Sequence, residues 1–206
     1  MSKQVLFIQG AGVGAYREDA KLSESLRRAL GPDYEVIYPA MPNEADPRYE
    51  DWKSRIEKEL AEMQEGVVLV AHSVGGSILL KCLSEIKVTK AVGGVFLMAA
   101  PFWGGDGWRY EGYEQVELPE DFAAKLPQGV PVFLYHCRDD DTVPYAHLAL
   151  YKQLLPHATS RRFDAGGHQF GSDLSPVAHD IKLSRLWASD YILGSRFLVR
   201  ARLSFS

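Results

Sequence analysis

The chain has 206 residues, 46% hydrophobic and 24% charged, with 27 acidic against 23 basic side chains and a net charge of −4. That length carries a full core in one domain spanning residues 1–206, and no basic surplus exists to attract nucleic acid or anionic lipid. Two cysteines, Cys82 and Cys137, make neither a disulfide framework nor a metal-ligand spacing, and no apolar run approaches the roughly eighteen residues of a membrane span. Met1-Ser2-Lys3-Gln4 leads straight into a strand instead of a leader segment, so the expectation is a cytoplasmic protein with no metal, no cofactor, no nucleic acid and no membrane, compatible with any oligomeric state.

The first predicted strand, about Val5 to Gln9, runs into Gly10-Ala11-Gly12-Val13-Gly14, and Leu22, Leu26 and Leu30 then line one face of a helix. Gly31-Pro32-Asp33 ends that helix, and Tyr34 to Tyr38 reads as a second strand stopped by Pro39. Trp52, Ile56, Leu60 and Met63 follow at helical spacing. The apolar run Val67 to Ala71 is a third strand, with a helix through Ile78, Leu79 and Leu83 behind it, and Val92 to Ala99 is a fourth. Strands apolar on both faces and separated by helices belong to a parallel sheet covered on both sides. From Phe102 to Leu126 no period holds, which predicts a long loop or small cap. Strand Val130 to Tyr135, a helix over about Tyr145 to Leu155, a short strand near Ser160 to Phe163 and a last helix with Ser175 as cap and Pro176 as first residue complete the pattern. The fold expected is a three-layer α/β sandwich around a six-stranded, mostly parallel sheet.

The third strand breaks onto Ala71-His72-Ser73-Val74-Gly75-Gly76. A serine at a sharp strand-to-helix turn has its hydroxyl exposed and the next backbone N–H, that of Val74, aimed at whatever it attacks. Small residues at 71 and 75 let the helix cross close above the strand; Ala71 stands where Gly-x-Ser-x-Gly has its first glycine. An ordinary strand, serine cap and helix would leave a similar local pattern. A serine also needs a base, and the base needs an acid. Two later strands end in His136-Cys137-Arg138-Asp139-Asp140-Asp141-Thr142-Val143-Pro144 and in Asp164-Ala165-Gly166-Gly167-His168. Parallel strand ends emerge on one edge of a sheet, and Ser, then Asp, then His is the chain order that such an elbow demands. Gly10-x-Gly12-x-Gly14 departs from the Gly-x-Gly-x-x-Gly of a dinucleotide loop, and no Gly-Lys-Ser/Thr follows. His72 reads as a structural residue under the elbow, His136 as a satisfied strand-end histidine, with a supporting residue of the site or a rival base as alternatives, and His147, His157 and His179 as surface residues.

With these motifs the chain resembles a minimal α/β-hydrolase over nearly its whole length. His136 to Pro144 resembles that family's His-Gly-x-x-Asp-x-x-Val-Pro segment, which implies the acid at Asp140, four residues before Pro144, with Asp139 and Asp141 as solvated neighbours. Gly167-His168 resembles the Gly-His of the base loop, and Ser73 the nucleophile. The compact size is similar to that of the retinoblastoma-binding-protein-9-like serine hydrolases, and Ala71 to Gly75 is similar to the elbow of small bacterial lipases. Gln9-Gly10 departs from the His-Gly of many relatives, and Cys137 from a common glycine. The resemblance implies a second oxyanion N–H at Ala11 and, with it, hydrolysis of carboxylic esters through an acyl-enzyme; with only the excursion at about 102–126 as a cap, the site is expected to be fairly open and to favour small or short-chain substrates. Amides, thioesters and lactones use the same three groups, and a hydrolase-fold binding protein without catalysis is the alternative from another class. Phe102, Trp103, Trp108 and Tyr110 either wall a substrate pocket or pack their loop onto the sheet.

Overall fold

A computed structural model of the chain describes residues 2–105, 108 and 113–184. Strand β1 (Lys3–Ile8) leads through the glycine loop into α1 (Ala15–Leu30), and β2 (Tyr34–Ile37) and α2 (Tyr49–Glu62) follow. Then come β3 (Val67–His72), α3 (Val74–Glu85), β4 (Val92–Met98), α4 (Phe122–Lys125), β5 (Val132–Cys137), α5 (His147–Leu154), β6 (Thr159–Phe163) and a helix α6 over residues 175–184. The six strands form one parallel sheet in the order β2-β1-β3-β4-β5-β6. The order reverses at β1, so the chain leaves β1 and β3 toward opposite edges. Their carboxyl ends therefore open a crevice between them.

Side chains alternate across the sheet with period two. Leu6, Ile8, Leu69, Ala71, Val95, Leu97 and Leu134 pack against α2, α3, α4 and α5 through Trp52, Ile56, Ile78, Leu79, Phe122, Leu148 and Tyr151. Val5, Phe7, Val68, Val70, Phe96, Met98, Phe133 and Tyr135 pack on the other face against Leu22, Leu26 and Leu30 of α1 and Val177, Ala178 and Ile181 of α6. This is the three-layer sandwich. Because the central strands β1, β3, β4 and β5 are apolar on both faces, neither helical layer can be lost without exposing half the sheet.

Most strand boundaries shift by a residue or two from the sequence reading, and three departures have a visible local cause. β5 begins at Val132 and runs to Cys137; Pro131 has no N–H to give a ladder and contributes only its carbonyl, to Val95 N–H at 2.9 Å. α5 begins at His147, since Pro144, Tyr145 and Ala146 form tight turns ahead of it. α6 starts one residue early, with Leu174 carbonyl accepting from Ala178 N–H at 2.9 Å and the Asp173 carboxylate accepting from Ser175 N–H at 2.9 Å. Among the described residues, the stretch after β4 holds one 3-10 turn (Glu114–Val116) besides α4, and the buried Val116 and Phe122 anchor it to the core.

Candidate active site

Ser73 joins β3 to α3 with φ 51° and ψ −133°, a backbone region that side chains avoid and glycine alone enters readily. The turn is held by the surrounding ladder: Ser73 N–H donates to Met98 carbonyl at 2.8 Å, and Gly76 N–H donates to Ser73 carbonyl at 2.8 Å. Contact between layers then dictates the small residues. A Cβ on Gly75 would sit 2.0 Å from the Gln9 carbonyl oxygen, one on Gly76 2.8 Å from Ala100 Cβ, and one on Gly10 3.0 Å from Ser73 Cβ. Gly75→Ala forces backbone apart from backbone, and a loss of about 1 to 3 kcal/mol or more in urea unfolding is expected. The strain at Ser73 gives the opposite sign: Ser73→Gly should unfold at higher urea than Ser73→Ala, by about 1 kcal/mol. Ser73 as a residue is 6% exposed.

His168 stands on the loop after β6. Its Nδ1 lies 2.9 Å and 3.2 Å from the two carboxylate oxygens of Asp140, the middle aspartate of the three. Asp140 follows β5, and its side chain is wholly buried. Its Oδ1 accepts from Thr142 N–H and Val143 N–H, both at 2.9 Å, while His136 Nε2 is 3.2 Å from Oδ2 and 2.9 Å from Val143 carbonyl. Burial alone would raise the Asp140 carboxyl, but the bonds from His136, His168 and Val143 N–H outweigh it and hold it well below the ordinary carboxylate range. His136 is thus a buried partner of Asp140.

Asp139 is more than a solvated neighbour. Its exposed carboxylate accepts from Gly166 N–H at 3.1 Å and Gly167 N–H at 2.8 Å, and so ties the loop that carries His168 to the loop that carries Asp140. Asp141 is exposed and accepts from the Thr142 hydroxyl at 3.2 Å. Asp164, with its side chain 98% exposed, pairs with Arg138 at 3.2 Å. His157 and His179 are exposed, but His147 is buried, contrary to its reading as a surface residue: its Nδ1 accepts from Phe102 N–H at 2.7 Å.

The glycine loop is braced by Glu44, a residue that no pattern in the sequence singled out. Its carboxylate accepts from Gly14 N–H at 3.0 Å, Tyr16 N–H at 2.6 Å and the Gln9 side-chain amide at 2.8 Å, and its carbonyl accepts from Gly12 N–H at 2.7 Å. A carboxylate there also meets the positive end of α1. Gly10 N–H goes to Asp19 at 2.7 Å. Gly10, Gly12 and Gly14 are thereby engaged. Among the described residues, the N–H groups of Ala11 and of Val74, the first residue of α3, have no hydrogen-bond partner.

Residues 24–168 match the serine hydrolase family. The chain belongs to that family. The matched span includes Ser73, Asp140 and His168 and leaves the glycine loop outside. Over 99 residues the sequence is 29% identical to YdeN of Bacillus subtilis (strain 168), a hydrolase by name; the stretch covers 48% of this chain and 51% of that protein, about half the length of the curated relative. The crystal structure of the B. subtilis ydeN gene product superposes with a TM-score of 0.69 at 21% identity, over 89% of this chain and 98% of that one. Est1E from Butyrivibrio proteoclasticus (TM-score 0.64, 17% identity, 90% of this chain and 87% of that one) shares the fold. So does the esterase EaEST from Exiguobacterium antarcticum (0.63, 15%, 91% of each). The fold is that of a small α/β-hydrolase.

In this serine hydrolase the aromatic residues after β4 pack as a cluster. Trp103 is buried, stacked on Tyr113 with centroids 4.7 Å apart and edge-on to Trp108 at 6.0 Å. Trp108 meets His147 at 4.9 Å, and Phe102 meets Tyr151 at 5.1 Å. Tyr110, the fourth pocket candidate, lies outside the described residues. Among the described residues no group of three or more His, Cys, Asp or Glu is placed to hold a metal ion, and no helix is long and apolar enough to cross a membrane.

Proposed function

We propose that this serine hydrolase cleaves small carboxylic esters through an acyl-enzyme on Ser73, with His168 as general base and Asp140 as its orienting acid. The observation that carries the reading is the 2.9 Å pairing of His168 Nδ1 with the buried Asp140, on a loop whose His168 carbonyl bonds the residue before Ser73. With the Nδ1 hydrogen donated to Asp140, Nε2 keeps the lone pair that takes the Ser73 proton. The Ser73 oxygen bonds to the ester carbonyl carbon, and the carbonyl oxygen, now negative, is met by the Val74 and Ala11 N–H groups. His168 passes its proton to the departing alkoxide, the alcohol leaves, and water repeats the sequence to free the acid. Small or short-chain esters are the substrates expected where only the short excursion at about 102–126 serves as a cap. A fluorophosphonate probe followed by peptide mapping tests the assignment without the natural substrate: a single adduct on Ser73 is expected, and an adduct on any other serine overturns it.

A further inference from the structure

Beneath these groups lies a buried polar pair that the reaction steps do not use. Asp19, on α1, and His72, the last residue of β3, are each 1% exposed. Asp19 Oδ2 accepts from Gly10 N–H at 2.7 Å and lies 2.9 Å from His72 Nδ1, while Oδ1 accepts from the Gln169 side-chain amide at 3.0 Å. The other ring nitrogen of His72, Nε2, lies 3.0 Å from the His168 carbonyl oxygen. One carboxylate and one imidazole therefore join the glycine loop, the serine turn and the base loop, three segments remote in the chain.

The partners dictate the protonation of the ring. A carbonyl oxygen only accepts, so Nε2 carries a hydrogen. Asp19 already receives a backbone N–H and an amide N–H, and donors of that kind favour the ionised carboxylate. A carboxylate also only accepts, which puts the second hydrogen on Nδ1. We propose that His72 is a standing imidazolium, paired with Asp19, and that the pair positions Ser73 and His168 relative to one another for the reaction proposed above, on which this inference rests.

The surrounding charges agree. Burial works against a charged His72 ring, but the Asp19 carboxylate and the bonds to Asp19 and the His168 carbonyl raise its ionisation above the ordinary histidine value. Burial likewise works against the Asp19 carboxylate, and His72, Gly10 N–H and Gln169 lower it. The other groups around the pair are Asp140 and the His168 ring, its centroid 4.6 Å from that of His72, with the Phe170 ring at 6.4 Å and with Glu44 and Tyr38 behind Asp19. The support from His72 is fully present below its unfolded ionisation and is lost as pH rises through the raised folded value. That from Asp19 is present above its unfolded ionisation and is lost as pH falls through its lowered value. The tie to the base loop thus weakens on the alkaline side, when the ring keeps one hydrogen for two acceptors.

Nitrogen-15 histidine spectra of the wild-type protein at pH 7.5 test the charge directly. One imidazole, identified as His72 by its contacts to Gly10 N–H and Phe170, is expected to hold a proton on both nitrogens; a single ring proton overturns the proposal. Asp19→Asn should lower kcat toward p-nitrophenyl acetate by about 10- to 100-fold with KM within about two-fold, as expected of misplaced reacting groups. It should also move the alkaline fall of fluorophosphonate labelling down by about one pH unit or more, since the counter-charge is gone. An unchanged kcat with an unmoved alkaline fall overturns the positioning role, and if Asp19→Asn does not fold, the wild-type spectrum still decides. An adduct mapped to a serine other than Ser73 would sink the catalytic reading alone, because the spectrum does not depend on it.

Discussion

Ser73→Ala is expected to fold as the wild type does and to lose about 10³-fold or more of kcat/KM toward p-nitrophenyl acetate, the scale of loss when a member of such a constellation is removed. The variant deletes one oxygen and keeps the Cβ that packs against Gly10, so the turn retains both its contacts and its strained backbone. What remains is the pair of unengaged N–H groups at Ala11 and Val74, which can still polarise a carbonyl for attack by water. A residual rate above background is therefore part of the expectation. Circular dichroism and urea unfolding establish that the fold is intact; activity within ten-fold of wild type would remove Ser73 from the chemistry.

The fold was legible because the central strands are apolar on both faces and the long helices α1, α2 and α3 carry apolar residues at helical spacing. Val67 to Ala71 and the Leu22, Leu26, Leu30 face define layers that no other arrangement would bury. Boundaries shifted where one backbone group was missing, as at Pro131, whose absent N–H delays β5 by two residues. The buried polar residues were harder to see. Asp19 looks like an ordinary acidic residue in the first turns of α1, yet it stands three and seven residues before Leu22 and Leu26, on the face that packs inward. An acid on an apolar stripe was the available signal. His147 carried the same one, four residues before Tyr151 on the buried side of α5. Glu44 had no such signal, because it follows Pro42-Asn43 outside any periodic element and acts through backbone groups that only the folded glycine loop presents.

The three consecutive aspartates should separate into three magnitudes when each is changed to Asn and kcat/KM is measured. Every neighbour of the Asp140 carboxylate is a donor. Thr142 and Val143 N–H fix Oδ1, so an Asn side chain keeps its oxygen there and turns its NH₂ toward the Oδ2 site, where His168 Nδ1 lies at 2.9 Å and His136 Nε2 at 3.2 Å. Donor facing donor is relieved only if His168 moves its hydrogen to Nε2, the nitrogen required to take the Ser73 proton. Asp140→Asn should therefore cost about 10²-fold or more, and up to roughly 10⁴-fold, through the wrong tautomer. Asp139→Asn leaves one acceptor for the two N–H groups of Gly166 and Gly167, which loosens the base loop without touching the imidazole, and a loss of less than about ten-fold is expected. Asp141→Asn keeps its exposed oxygen for the Thr142 hydroxyl and should stay within about two-fold of wild type. The order 140, then 139, then 141 is the result that fits this geometry. A loss at 141 equal to that at 140 would show that the turn after β5 presents a different carboxylate to His168.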